Sequence, residues 1–86
     1  MEVVFSKHFK KQFVKLTPKA QKQFDIRFEL WLIDPADPIL RVHKLKGKFN
    51  RYYSFNINAD LRAIYEVVDG YIYIYQMIGT HSQLYG

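Results

Sequence analysis

The most informative stretch of this chain covers residues 61–78 and has the sequence LRAIYEVVDGYIYIYQMI. Asp69-Gly70 lies at its centre and is the strongest hairpin-turn signal in the chain, because both residue types tolerate the positive φ angles of a tight turn. The flanking runs are rich in Tyr, Ile and Val, which favour strands. The stretch therefore predicts two antiparallel strands, Leu61–Val68 and Tyr71–Ile78, joined by a two-residue loop.

A two-residue loop also determines which side chains share a face of the hairpin. It pairs Val68 with Tyr71 and Leu61 with Ile78, and it directs an apolar set toward the core: Leu61, Ala63, Tyr65, Val67, Ile72, Ile74 and Ile78. The other face then carries Arg62, Ile64, Glu66, Tyr71, Tyr73, Tyr75 and Met77. Such a face can stack bases and bind a phosphate, accept a partner's helix, or be a half-exposed face without a function.

Three further strands are predicted outside this hairpin. Leu40–Leu45 and Arg51–Ile57 have the alternating pattern of strands, and turn-forming residues separate them from each other and from the hairpin. Glu2–Phe5 is a short apolar run with two β-branched valines, which predicts a first strand.

Two helices are predicted between the first and second strands. Ser6 is placed to cap a helix that carries apolar residues at helical spacing, namely Phe9, Phe13 and Leu16. Thr17-Pro18 begins a second helix, with Thr as the cap and Pro at the first helical position, and Asp34-Pro35 ends it. The predicted fold is α+β in the order β-α-α-β-β-β-β, with two helices packed on one face of a mainly antiparallel sheet.

Length and composition predict a single domain over residues 1–86. The chain is 49% hydrophobic and 17% aromatic, which is enough to form a core, so a disordered chain is excluded. It has no cysteine, which excludes a disulfide framework, a thiolate metal site and a cysteine nucleophile. The N-terminus has early charges and no long apolar run, so we expect a soluble cytoplasmic protein without a membrane span.

The positive charge is concentrated in the first part of the chain. Residues 1–51 contain 12 of the 13 Lys and Arg residues against five acids, a net charge of +7, whereas the remainder has a net charge of −2. A small basic domain of this kind binds nucleic acid or an acidic protein, unless the lysines serve solubility alone.

The sequence lacks the phosphate-binding glycine motifs and the H-E-x-x-H zinc motif, and its acids are too scattered for a two-metal site. It does contain groups suited to RNA cleavage by the 2′-hydroxyl, which needs proton carriers near pH 7 and cations to stabilise the phosphorane. His43 and His81 can carry protons, and Arg62 can bind phosphate oxygens in a bidentate manner. We therefore expect neither a metal nor a cofactor.

Three segments resemble the RelE/ParE toxin superfamily. They are HKLKG at residues 43–47, INADLRAIY at residues 57–65 and GTHSQLY at residues 79–85, of which the last is most similar to the YafQ branch. The resemblance covers nearly the whole chain, including the order of strands and helices. It implies a bacterial toxin that cuts mRNA in the ribosomal A site, is neutralised by a cognate antitoxin, and contacts operator DNA indirectly through that antitoxin.

The resemblance also implies roles for individual residues. His43, Asp60 and His81 fall on positions where YafQ-like toxins have catalytic or substrate-contacting residues, and Tyr85 falls on their terminal aromatic. Arg62 matches the arginine of the RelE and YoeB branches. The chain departs from the YafQ pattern at two positions: Asn56 replaces a histidine and Leu61 a tryptophan. The division of acid and base roles therefore stays open.

The resulting prediction is a ribosome-dependent endoribonuclease. His81 is the expected general acid or base, Arg62 the phosphate clamp, and Tyr85 a stacking or proton-assisting group. His43 and Asp60 are further candidates, with a hydrogen-bonded strand residue and a turn residue as their respective alternatives. The expected contacts to the RNA backbone are Lys44, Lys46, Lys48 and Arg51.

Two other functions remain open at this point. The fold could inhibit DNA gyrase without cutting RNA, which would need the surface and not the histidines. A decayed toxin could act only as an antitoxin-bound co-repressor, and the replacement of a histidine by Asn56 is the feature that supports this alternative.

Overall fold

A computed structural model describes residues 1–85. The chain forms a strand, two helices, four further strands and a short final helix. In chain order these are β1 (Glu2–Phe5), α1 (Lys7–Phe13), α2 (Pro18–Ile33), β2 (His43–Lys44), β3 (Tyr52–Asn56), β4 (Leu61–Val68), β5 (Ile72–Thr80) and α3 (His81–Tyr85), with a 3₁₀ turn at Gly47–Phe49 between β2 and β3.

The five strands form one sheet in the order β1-β5-β4-β3-β2. The β4–β5, β3–β4 and β2–β3 pairs are antiparallel, and β1 pairs with β5 in parallel. The predicted α+β architecture, with two helices followed by a mainly antiparallel sheet, is confirmed. No helix in the described part of the chain is both long enough and apolar enough to cross a bilayer.

Both predicted helix caps are present, and each is formed by two residues three positions apart in the sequence. The Ser6 hydroxyl accepts the backbone N–H of Phe9 at 3.0 Å, and the Thr17 hydroxyl accepts that of Ala20 at 3.1 Å. Pro18 occupies the first turn of α2, where its missing N–H leaves no bond unmade. These caps position the two helices over the sheet, where Phe9, Phe24 and Trp31 enter the core.

Aromatic rings fill the space between the helices and the sheet. Trp31 is fully buried, and its ring lies 5.2 to 5.3 Å from those of Tyr65, Tyr73 and Tyr75. The apolar core also includes Leu40, Phe55, Ile57, Leu61, Ala63 and Ile78. Burial of this many large side chains is the main contribution to stability.

The predicted register of the hairpin was wrong. Val68 pairs with Ile72 and not with Tyr71, and a bulge between Ile64 and Tyr65 shifts the pairing once more, so that Leu61 lies opposite Thr80. Asp69 and Gly70 do adopt positive φ angles of 54° and 77°, but the turn also includes Tyr71. Each extra residue moves the following side chains of β5 to the other face.

The shift in register changes which tyrosines are exposed. Tyr75 is fully buried and Tyr73 packs against the core, whereas Ile72 and Ile74 belong to the opposite face, where they were not expected. The expected tyrosine-rich outer face is therefore wrong for Tyr73 and Tyr75.

The second predicted strand is shorter than expected, with only His43–Lys44 in place of Leu40–Leu45. The chain turns before it: the backbone N–H of Arg41 bonds the carbonyl of Pro38, and Arg41 has a φ of 51°. A residue in this left-handed conformation cannot continue a strand. Leu40 is nevertheless buried, and its carbonyl accepts the N–H of Asn56 at 2.8 Å.

Candidate active site

Helix α3 creates a cleft by folding back from the end of β5. Thr80 and Gln83 hold its first turn reciprocally: the Gln83 side chain accepts the Thr80 N–H at 2.8 Å, and the Thr80 hydroxyl accepts the Gln83 N–H at 3.2 Å. This arrangement is a capping box. Gly79 leaves room for the fold-back, because a Cβ there would lie 3.0 Å from Gln83 Oε1. Helix α3 was not predicted, although the T-x-x-Q pattern of residues 80–83 indicates a helix start.

The cleft lies on the sheet face opposite α1 and α2, and it has a volume of about 310 Å³. We refer to it as the histidine cleft; it is lined by His43, Leu45, Lys46, Phe49, Ser54, Arg62, His81 and Tyr85. Residues from β2, the 3₁₀ turn, β3, β4 and α3 thus meet at one place. Five of the nine residues predicted from sequence are among them.

His81 and Tyr85 form one wall of the histidine cleft. They are four residues apart on α3, so their side chains share a face, and their rings lie 4.8 Å apart. Tyr85 also packs against Phe49 at 5.6 Å. His81 is exposed, and its ring nitrogens make no hydrogen bond within residues 1–85.

Tyr85 remains protonated at neutral pH. Burial of its phenol raises the pKa above the ordinary 10.0, while the Ser54 hydroxyl and the positive charge of Arg62 act in the opposite direction. A neutral phenol can donate a hydrogen bond but cannot serve as a base.

Arg62 forms the floor of the histidine cleft. It lies between Asn56 of β3 and Gly79 of β5 in the sheet, and its Nη1 donates to the carbonyls of Asn58 and Leu61 at 3.0 and 3.2 Å. These bonds fix the guanidinium in place. The Nε and Nη2 donors make no bond within residues 1–85, so they are free for the oxygens of an anion.

His43 lies on the opposite wall, on β2. Its Nδ1 is 3.0 Å from the backbone carbonyl of Arg41. A carbonyl can only accept, so a hydrogen bond here needs the ring proton on Nδ1, which leaves Nε2 of the neutral imidazole able to accept a proton.

The remaining predicted residues lie at different places. Asp60 is exposed in the turn before β4 and does not line the histidine cleft; its backbone N–H bonds the side chain of Asn58 at 2.9 Å. Lys44 is exposed but pairs with Tyr53, so its side chain leaves β2 on the opposite face from His43. The ammonium of Lys48 lies 5.3 Å from the Phe49 ring centre, near the cleft but outside its lining.

Arg51 is already engaged within the chain. Its Nη2 donates to the Tyr52 hydroxyl at 2.8 Å, and its Nε lies 3.8 Å from a Glu66 oxygen. The bond to Tyr52, more than the charge of Glu66, raises the pKa of Arg51. An RNA contact by Arg51 stays a prediction, as do the other roles assigned from sequence.

Three lining residues were not anticipated: Leu45, Phe49 and Ser54. No sequence motif marks them, because the chain brings them to the cleft through the 3₁₀ turn and the alternation of β3. Within residues 1–85 no three His, Asp or Glu side chains are close enough together to hold a metal ion. The side chains that are present combine two imidazoles, a guanidinium, an ammonium and a phenol, which suits proton transfer at an anionic centre.

The chain is similar to known proteins in both sequence and structure. The family model described as "Bacterial toxin of type II toxin-antitoxin system, YafQ" matches residues 1–86. The crystal structure of YafQ from E. coli strain BL21(DE3) is similar, with a TM-score of 0.81 at 22% identity over 99% of this chain and 98% of that one. A conserved hypothetical protein from Helicobacter pylori has a TM-score of 0.68 at 30% identity over 99% of both chains.

A more distant match has the same fold. It is a chain of the RelB-RelE antitoxin-toxin complex from Methanococcus jannaschii, with a TM-score of 0.75 at 19% identity over 95% of this chain and 94% of that one. None of the curated proteins matches the chain in sequence.

Proposed function

The chain belongs to the YafQ family of bacterial toxins of type II toxin–antitoxin systems, and we propose from this premise that it is a ribosome-dependent endoribonuclease that cuts mRNA. The observation that carries the proposal is the composition of the histidine cleft. Two histidines stand on facing walls, with a fixed arginine on the floor between them and a tyrosine beside one of them. Such a set supplies the proton carriers and the positive charge that assist transfer of a phosphoryl group within RNA.

These positions support the following reaction. Nε2 of His43 accepts the proton of the ribose 2′-hydroxyl, whose oxygen attacks the adjacent phosphorus. Arg62 stabilises the charge of the phosphorane through its free Nε and Nη2 donors. Protonated His81 gives its proton to the departing 5′-oxygen. The P–O5′ bond breaks, and the products are a 2′,3′-cyclic phosphate and a 5′-hydroxyl.

Tyr85 has a supporting role in this scheme. Because its pKa is raised, it stays neutral and positions the His81 imidazole through ring contact at 4.8 Å. Lys46, which also lines the cleft, adds positive charge next to the scissile phosphate.

A cognate antitoxin is the expected protein partner. The E. coli relative has been solved as a DinJ-YafQ complex, at a TM-score of 0.78 with this chain. The basic N-terminal part of the chain favours an acidic segment in the partner. Cytoplasmic location and indirect contact with operator DNA, through the antitoxin, belong to the same proposal.

Cell-free translation of a defined mRNA tests the nuclease directly. The purified chain is added, the mRNA ends are mapped, and the same reaction is run without ribosomes. Cleavage that needs active translation is expected for the unmodified chain, and H81A should abolish it. H8A is the matched control, since His8 is exposed on α1 outside the histidine cleft.

Two results would contradict the proposal. Intact mRNA with normal protein synthesis would exclude the nuclease and leave gyrase inhibition or a co-repressor role. If H81A and H8A both cut mRNA as efficiently as the unmodified chain, His81 would have no part in the mechanism.

A further inference from the structure

A second cleft, of about 640 Å³, lies beside the histidine cleft. We refer to it as the arginine cleft; its lining consists of Arg27, Pro38, Ile39, Arg41, Asn56, Asn58, Ala59 and Arg62. The three arginines come from α2, from the loop before β2, and from β4. The fold brings them together from distant parts of the chain, and no sequence motif contains them. Arg27 and Arg41 were therefore not predicted as binding residues.

The arginine cleft is lined by positive charge. Within residues 1–85, none of its lining residues is acidic and none of its three arginines has a carboxylate within 4.0 Å. Arg51, in contrast, is paired with Glu66. Three like charges that line one open cleft favour the binding of an anion there.

Most of the donors in the arginine cleft are unused. Arg27 contributes one Nη1 bond, to the carbonyl of Ile39 at 3.0 Å, which orients its guanidinium. Arg62 is held by its two carbonyl bonds through Nη1 alone. The Arg41 side chain is exposed and makes neither a hydrogen bond nor an ion pair with residues 1–85. Several N–H donors of the lining arginines therefore have no acceptor within residues 1–85.

Arg41 also has a strained backbone. Its φ of 51° lies in the left-handed region, where a bulky side chain is disfavoured and glycine or asparagine is usual. This conformation belongs to the turn before β2, in which the Arg41 N–H bonds the Pro38 carbonyl. Its side chain makes no bond within residues 1–85, so the guanidinium is available to a ligand.

The two clefts share Arg62, so a chain of phosphates could pass from one to the other. We propose that the arginine cleft binds the phosphodiester backbone of RNA next to the cleavage point, through Arg27 and Arg41. Asn56 supplies an amide group for an adjoining sugar or base. The inference rests on the proposed function, because it assumes that the RNA to be cut is bound in the neighbouring histidine cleft.

Binding measured as a function of salt tests the site without requiring cleavage. The probe is a single-stranded RNA oligonucleotide with 2′-O-methyl riboses, which has no nucleophile and cannot be cut. Its dissociation constant is measured by fluorescence anisotropy over a series of KCl concentrations. A second probe, purified small ribosomal subunits without mRNA, distinguishes ribosomal RNA from mRNA as the source of the backbone.

The variants are R41Q and the double variant R27Q/R41Q. The matched control is K7Q/K11Q, which removes two charges from exposed positions of α1 outside both clefts. R41Q is included because its side chain has no structural bond, whereas R27Q also removes the bond to Ile39. Circular dichroism confirms that each variant is folded.

Each lost phosphate contact should reduce the slope of log K against log salt by about 0.7 for a single strand. We expect that decrease in R41Q, about twice as much in the double variant, and a smaller change in the control. A decrease in slope that is seen with the oligonucleotide and not with the subunits identifies mRNA as the ligand. A decrease in slope that is seen with the subunits and not with the oligonucleotide identifies ribosomal RNA. Slopes equal to those of the control with both probes would overturn the inference.

Failure of this inference is distinguishable from failure of the proposed function. Translation-dependent cleavage combined with unchanged slopes would refute the arginine cleft and leave the nuclease intact. Arginine-dependent RNA binding without any cleavage would support the cleft and refute the nuclease.

Discussion

Replacement of Arg41 by glycine should make the protein more stable while weakening RNA binding. Arg41 has a φ of 51°, which costs an L-residue about 1–2 kcal/mol relative to a permissive residue. Glycine removes that strain but adds backbone entropy to the unfolded chain, which offsets about 0.5–1 kcal/mol. No side-chain bond within residues 1–85 is lost. We expect R41G to gain about 0.5–1 kcal/mol, which raises the Tm by about 2–8 °C for a domain of this size.

Thermal unfolding followed by circular dichroism measures this gain, with R41A as the matched control. Alanine removes the same guanidinium but keeps a Cβ, so it retains the backbone strain and should not share the increase in Tm. Both variants should lose the same affinity for the 2′-O-methyl oligonucleotide. The reasoning is refuted if R41G melts at or below the Tm of R41A, or if R41G binds RNA as tightly as the unmodified chain.

Two further predictions concern the core and α3. The Tyr75 hydroxyl is buried with no partner in the described chain, so Y75F should increase the free energy of unfolding by about 1 kcal/mol. Burial raises the pKa of Tyr75 above 10.0, so the folded state keeps a proton that the unfolded state releases at high pH. The free energy of unfolding should therefore fall as the pH rises above about 10. Urea melts over a series of pH values should show a smaller decrease in this free energy for Y75F. Q83A removes a capping bond of α3 and should reduce cleavage several-fold with little change in Tm, whereas S82A should leave cleavage unchanged.

Features that depend on neighbouring residues could be predicted from the sequence. The caps at Ser6 and Thr17 form bonds over three residues, and Pro18 has one permitted place in a helix. The order of strands and helices followed from such local patterns. The hairpin register did not, because one extra residue in the turn reverses the alternation of β5 and a second one at the bulge restores it, and neither is marked in the sequence.

The candidate site also contains residues that could be predicted from the sequence and residues that could not. His43, His81 and Arg62 were predicted from their chemistry together with the family resemblance, and Tyr85 from the resemblance alone; the fold brings all four to one cleft. Ser54 and Phe49 could not be found, since their place in the cleft depends on the path of the chain after β2. Arg27 was missed for the same reason: it is 35 positions from Arg62 in the sequence, and only the packing of α2 beside the β3–β4 turn brings them together.

The burial of Trp31 provides an optical reporter within the molecule. It is the only tryptophan of the chain, it has no exposed surface, and three tyrosine rings surround it. Its emission should be at short wavelength and fed by energy transfer from those tyrosines. Neither cleft includes it, so binding there should leave the spectrum unchanged, whereas loosening of the core should shift it to the red. Fluorescence alone can therefore separate a variant that is folded but inactive from one that has lost its packing.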